Sequence, residues 1–153
     1  MKKNIIIYTL AVIFLLLQVS LVAFTKKGPV PPKKDAAGIT FIEQDWDKAL
    51  STAKAEKKLV FLDIYASWCG PCKMLKKNTF TDPKVAEFFN KNFINVSVDG
   101  EKGVGPSLQQ KYAIQAYPTL IVTNAEGNPV LYTMGYLDPA TLLKFADAAL
   151  KKK

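Results

Sequence analysis

Cys69 and Cys72 are the only cysteines in 153 residues, and they stand two residues apart in Trp68-Cys69-Gly70-Pro71-Cys72-Lys73. Two thiols at this spacing can close a small disulfide ring and open it again. No further cysteine exists to make them part of a structural disulfide framework. Zinc does not account for them: one Cys-x-x-Cys pair supplies two ligands, and the chain has no histidine to complete a tetrahedral set. No metal and no cofactor is expected. The pair is therefore a redox site or a chance occurrence, and its surroundings must decide. One neighbour in sequence is suggestive. Asp63 interrupts the apolar run Leu59-Val60-Phe61-Leu62-Asp63-Ile64-Tyr65. A carboxylate buried there is costly, and desolvation would raise its pKa; the alternative is a partly exposed acid at a strand edge.

The elements around the motif are readable from periodicity. Asp45 to Lys58 reads as a helix with Trp46, Ala49, Leu50 and Ala53 on one face. Leu59 to Tyr65 has the unbroken apolar character of a central buried strand. The cysteine motif follows and runs into helix through Lys77. Asp82-Pro83 pairs an N-cap with proline at the first helical position, and Val85, Ala86, Phe88 and Phe89 supply that helix's apolar face. Phe93 to Asp99 is a second strand; a loop over Gly100–Gly105 leads to a short helix ending near Tyr112. Thr119 to Asn124 and Pro129 to Met134 read as strands joined by the turn Ala125-Glu126-Gly127-Asn128. Asp138-Pro139 opens a last helix carrying Leu142, Leu143, Ala146, Ala149 and Leu150. The order predicts an α/β fold, a central mixed β-sheet flanked by helices.

Three segments are expected. Residues 1–25 form a transmembrane anchor or signal peptide, 26–38 a Lys/Pro/Gly-rich tether, and 39–153 the domain. Ile5 to Phe24 carries no charge, and twenty helical residues reach about 30 Å, the thickness of a bilayer's hydrocarbon core. A signal-peptide core is shorter, and Ala23-Phe24-Thr25 fits a cleavage site only loosely, so an uncleaved anchor is the first expectation. Either reading places the domain outside the cytoplasm. The net charge of +8 belongs mostly to the leading segments: six of the 21 lysines lie before Asp35, leaving 15 against 13 acids. Every basic residue is Lys, so the arginine forks that read phosphates and bases are missing, and nucleic-acid binding is not expected. No amphipathic helix is left over after the core is assigned, which makes a monomer the default.

The cysteine motif between a buried strand and a helix resembles the thioredoxin superfamily. Asp63 stands where thioredoxins carry a buried acid. Tyr117-Pro118-Thr119 matches the family's loop with a cis proline facing the cysteines, and Gly135 matches a glycine near the same site. The segments Thr79-Phe80-Thr81-Asp82-Pro83 and Val98-Asp99-Gly100 are similar to membrane-anchored thioredoxin-like proteins and to the C-terminal domain of the disulfide reductant DsbD. The Gly-Pro between the cysteines is the thioredoxin dipeptide. In place of the lysine that thioredoxins set beside the acid, the alignment puts Asn95.

At the N-terminus of its helix, Cys69 is the expected nucleophile, because unsatisfied N–H groups favour a thiolate and lower the pKa from near 8.5 toward about 7. Cys72, taken as the more buried thiol, then resolves the mixed disulfide. The resemblance implies that Asp63 exchanges the proton of Cys72. It also implies that Trp68, Pro71, Tyr117, cis Pro118 and Thr119 form the substrate-binding surface; Trp68 could instead pack on the sheet. Lys73, Lys76 and Lys77 read as a solvated helix face. The expected function is extracytoplasmic reduction of disulfide-containing client proteins, with electrons from a membrane electron-transfer partner. A disulfide oxidase or isomerase, and a non-catalytic binding module, are the alternatives.

Overall fold

The computed structural model describes residues 38–152. The expected span over 5–24 and nearly all of the tether lie outside the described residues. Among the described residues no helix is long and apolar enough to cross a membrane.

Among the described residues there are five strands and five helices, four of the strands and all of the helices falling where the periodicity predicts. They are β1 (Ile42–Glu43), α1 (Trp46–Glu56), β2 (Leu59–Tyr65), α2 (Gly70–Met74, continuing as a π-helical turn Leu75–Thr79), α3 (Pro83–Asn92), β3 (Phe93–Asp99), α4 (Gly105–Tyr112), β4 (Thr119–Thr123), β5 (Pro129–Met134) and α5 (Pro139–Leu150). The sheet order is β1-β3-β2-β4-β5. β1 and β2 run parallel to β3, while β4 runs antiparallel to both β2 and β5, so the sheet is mixed. β1 was not anticipated: two residues of an edge strand are too few to leave a period in the sequence.

Caps set the helix boundaries. The Asp45 carboxylate accepts from the Lys48 N–H at 3.0 Å, and left-handed Lys57 ends α1. Asp82 accepts from the N–H groups of Lys84 and Val85, and Asp138 from that of Thr141, each just before the proline that starts its helix. The β4–β5 loop is organised by Asn124, whose Oδ1 accepts from Glu126 N and Asn128 N.

Side chains alternate across the sheet and build two apolar layers. On one face Val60, Leu62, Ile64, Ile94, Val96, Val98 and Ile121 meet Trp46, Ala49 and Ala53 of α1 and Leu108 of α4. On the other, Phe61, Phe93, Leu120 and Val122 meet Val85 and Phe89 of α3 and Leu142, Ala146 and Ala149 of α5. β2 lies at the centre of the sheet, so the loop that follows it is held by a strand paired on both edges and buried from Leu59 to Ile64. That loop carries the cysteines.

Candidate active site

Cys69 and Cys72 are joined in a disulfide with their Cα atoms 5.3 Å apart. Cys69 is the N-cap of α2: its Sγ accepts the Cys72 N–H at 3.1 Å, with Pro71 in the first turn. The site thus offers Cys69 a backbone donor at a helix start, where negative charge on sulfur is favoured once the disulfide opens. The expected difference in burial does not hold. Each cysteine is 3 % exposed, because Ala66, Tyr65 and Tyr117 pack around both. Position on the helix, and not depth, is what separates the two sulfurs.

Around the disulfide the expected constellation assembles in part. The Tyr117–Pro118 peptide bond is cis. Pro118 is buried, its carbonyl accepting from the Gly135 N–H at 2.8 Å, with Gly135 at φ +89°. Tyr117 packs against the cysteines and meets the Trp68 ring edge-on at 5.9 Å. Trp68 does not pack into the sheet. It is 67 % exposed and donates its indole N–H to the carboxylate of Glu101 at 3.1 Å. Pro71 is exposed on the same loop. Thr119 is buried, and its hydroxyl donates to Ala116 O at 2.7 Å, fastening the proline loop from within.

Asp63 is fully buried, as an acid inside an apolar strand predicted. Burial pushes its pKa up to about 6, against the pull of the Ser97 hydroxyl and Lys76, with Glu43 adding to the rise. Ser97 Oγ donates to Asp63 Oδ2 at 3.0 Å, while Oδ1 has no hydrogen-bond partner. This corrects the alignment that set Asn95 beside the acid. Strand register pairs Asp63 with Ser97 and Phe61 with Asn95, so Asn95 points from the same face one pair further along. Its amide donates to Thr40 O and Asn90 Oδ1 instead.

Three residues contribute to the site in ways the sequence did not indicate. Glu101 orients Trp68. Gly100 makes room for Tyr117, since a Cβ there would lie 2.5 Å from the tyrosine hydroxyl oxygen. Lys76 is more than a solvated residue: its ammonium sits 3.5 Å from the centre of the Tyr65 ring. Glu101 and Gly100 follow Asp99 directly, and only the approach of the β3 and β2 loops brings them to the motif.

Comparison with known proteins agrees with this geometry. Residues 46–150 match the thioredoxin-like domain family. The thiol:disulfide interchange protein DsbD of Vibrio vulnificus (strain CMCP6) is 36% identical over 89 residues, covering 57% of this chain and 15% of that protein. The chain therefore spans about one-sixth of the length of such relatives. A candidate disulphide-isomerase from Bacteroides thetaiotaomicron, solved in solution, is 42% identical with a TM-score of 0.68, covering 77% of this chain and 98% of that one. The C-terminal domain of Neisseria meningitidis DsbD, in its oxidised form, shares the fold at 24% identity and a TM-score of 0.56, covering 65% and 89% of the two chains.

Proposed function

The chain belongs to the thioredoxin-like domain family and is a thiol–disulfide oxidoreductase, and we propose that it works outside the cytoplasm as a reductant of client disulfides. The observation that carries this reading is the Cys69–Cys72 disulfide at a helix start, packed under Tyr117 beside the Pro118 loop. In the reduced protein, the Cys69 thiolate attacks one sulfur of a client disulfide. A Cys69–client bond forms, and the client's other sulfur leaves as thiolate. Cys72 gives its proton to the Asp63 carboxylate and attacks Cys69 Sγ. The client's second thiolate departs, the client has gained two electrons, and the protein is left as the disulfide seen here. Trp68, Pro71 and Tyr117 supply the docking surface, and an extended client segment aligns along the backbone at Tyr117.

The uncharged stretch from Ile5 to Phe24 and the kinship with DsbD support an anchored, periplasm-like location. A monomeric domain there cannot draw on cytosolic reductant, so its electrons come from a membrane electron-transfer partner. The thioredoxin dipeptide Gly70-Pro71 supports the reducing direction.

The relative described as a disulphide-isomerase favours a second reading, the same site run as an isomerase or oxidase. Equilibration with glutathione separates them: thioredoxin lies at about −270 mV and protein disulfide isomerase at about −180 mV, and a value above the latter eliminates the reductant. Cys72→Ser is expected to accumulate clients disulfide-linked through Cys69. A chain that binds without redox chemistry would trap nothing, and Cys69→Ser would still bind.

A further inference from the structure

Asp63 is buried, but its one hydrogen-bond partner, Ser97, reaches the wall of a surface cleft. Strand register aligns Glu43 of β1 with Ser97 of β3, and Ser97 with Asp63 of β2. The three form a polar row on one face of the sheet, from an exposed edge residue through a buried hydroxyl to the buried acid. A surface cleft of about 200 Å³ lies over the outer part of this row, lined by Glu43, Ser97, Lys76, Phe41 and Phe80. Liquid water occupies about 30 Å³ per molecule, so the cleft has room for several. Its inner wall is Ser97, whose hydroxyl donates to Asp63 Oδ2, and Asp63 Oδ1 is left without a partner. Neither Glu43 nor Lys76 belongs to the cysteine loop.

We infer that Glu43 and Lys76, which line one cleft together with the Ser97 that bonds Asp63, are positioning residues that set the pH range of the disulfide reaction. The inference rests on the proposed proton exchange between Asp63 and Cys72. Asp63 must be ionised to take the Cys72 proton, and it must then return that proton to solvent; the cleft at Ser97 is the route. Net, one proton passes from Cys72 Sγ to Asp63 and then to water, and Ser97 is neutral before and after. The fixed charges around the acid decide when this happens. β1 contributes the Glu43 carboxylate and the π-helical turn contributes the Lys76 ammonium. β3 contributes the neutral Ser97 hydroxyl, with Asp99 further along it paired to Lys102 at 3.1 Å. β4 places the uncharged Leu120 opposite Asp63. The anion favours the protonated acid and the cation the ionised one, so the two exposed residues oppose each other.

The test uses the full reduced chain with glutathione disulfide as probe. Collapse of the Cys69–glutathione mixed disulfide is followed by quenched flow from pH 5 to 9. Lys76→Gln should move the midpoint of the rate profile up, and Glu43→Gln should move it down. The double variant should return it close to the starting value, and Lys76→Arg, which keeps the charge, should leave it there. Ser97→Ala should move it up, because the hydroxyl that favours the carboxylate is gone. A purely structural role would slow all variants without opposed shifts. If Asp63→Asn leaves the profile unchanged, the proton-exchange reading itself fails. If Asp63→Asn removes the midpoint but Lys76→Gln and Glu43→Gln leave it in place or shift it in one direction, that reading stands and this inference is overturned.

Discussion

Replacing Asp63 by Asn should stabilise the oxidised protein at neutral pH relative to its stability in acid, although the residue lies at the heart of the site. The folded protein holds Asp63 near pKa 6, against 3.8 for the free side chain. Between those values the folded state keeps a proton that the unfolded chain releases. With more protons bound in the folded state, stability falls as pH rises through this window, and the loss is complete above about pH 7. At about 1.36 kcal/mol for each pH unit between the two values, the full effect is about 3 kcal/mol, of which roughly 2.5 kcal/mol accrues between pH 4 and pH 7.5. Asn cannot ionise, so the variant lacks this slope while still offering Ser97 an acceptor. It also places an amide nitrogen in a pocket where Oδ1 had no partner, a cost of about 1–3 kcal/mol that does not vary with pH. The informative quantity is therefore the change in the wild-type-to-variant difference with pH, in which the other titrating groups cancel. Urea unfolding of both proteins with the disulfide intact should show that difference move by about 2.5 kcal/mol in the variant's favour from pH 4 to 7.5. With m of about 1–3 kcal/mol/M this is a midpoint change of about 0.8–2.5 M. A difference that stays constant across the range would refute the claim that Asp63 is a buried acid with a raised pKa.

Other substitutions test the rest of the site and its support. Phe61→Ala removes a fully buried ring that meets Phe89 at 4.6 Å between centroids, and it should cost about 3–5 kcal/mol in urea unfolding. A loss below about 1 kcal/mol would mean the layer under β2 is not packed as described. Gly100→Ala forces the Tyr117 ring away from its seat and should cost about 1–3 kcal/mol; client reduction should fall with it, and unchanged kcat/KM would show that Tyr117 does not shape the docking surface. Glu101→Gln removes the charged acceptor of the Trp68 indole while leaving the disulfide alone. Client kcat/KM should fall with the redox potential unchanged, whereas a shifted potential would assign Glu101 to the chemistry instead of to docking.

Much of this site was legible in the residue string, because the features concerned are local. The caps Asp45, Asp82 and Asp138 act on N–H groups within three residues, and the apolar alternation of β2 and β3 follows from the pleat. The short strand β1, the widened turn at Leu75–Thr79 and the place of Ser97 were not legible. A two-residue strand has no periodicity, a π turn has no distinct composition, and a pairing partner depends on register between strands 34 residues apart.

The sequence by itself determined the reaction: two thiols, one helical turn apart at a helix start, with an acid inside the preceding strand, admit little besides disulfide exchange. It did not determine how that acid is governed. Charge acts through distance and burial, and neither is written in the order of residues. Only the folded sheet sets Glu43, Ser97 and Asp63 in one row, lays Lys76 over Tyr65, and leaves the carboxylate with one hydroxyl for company. The tertiary structure decided the proton affinity of Asp63, because burial and the charges brought around it exist only in the folded chain.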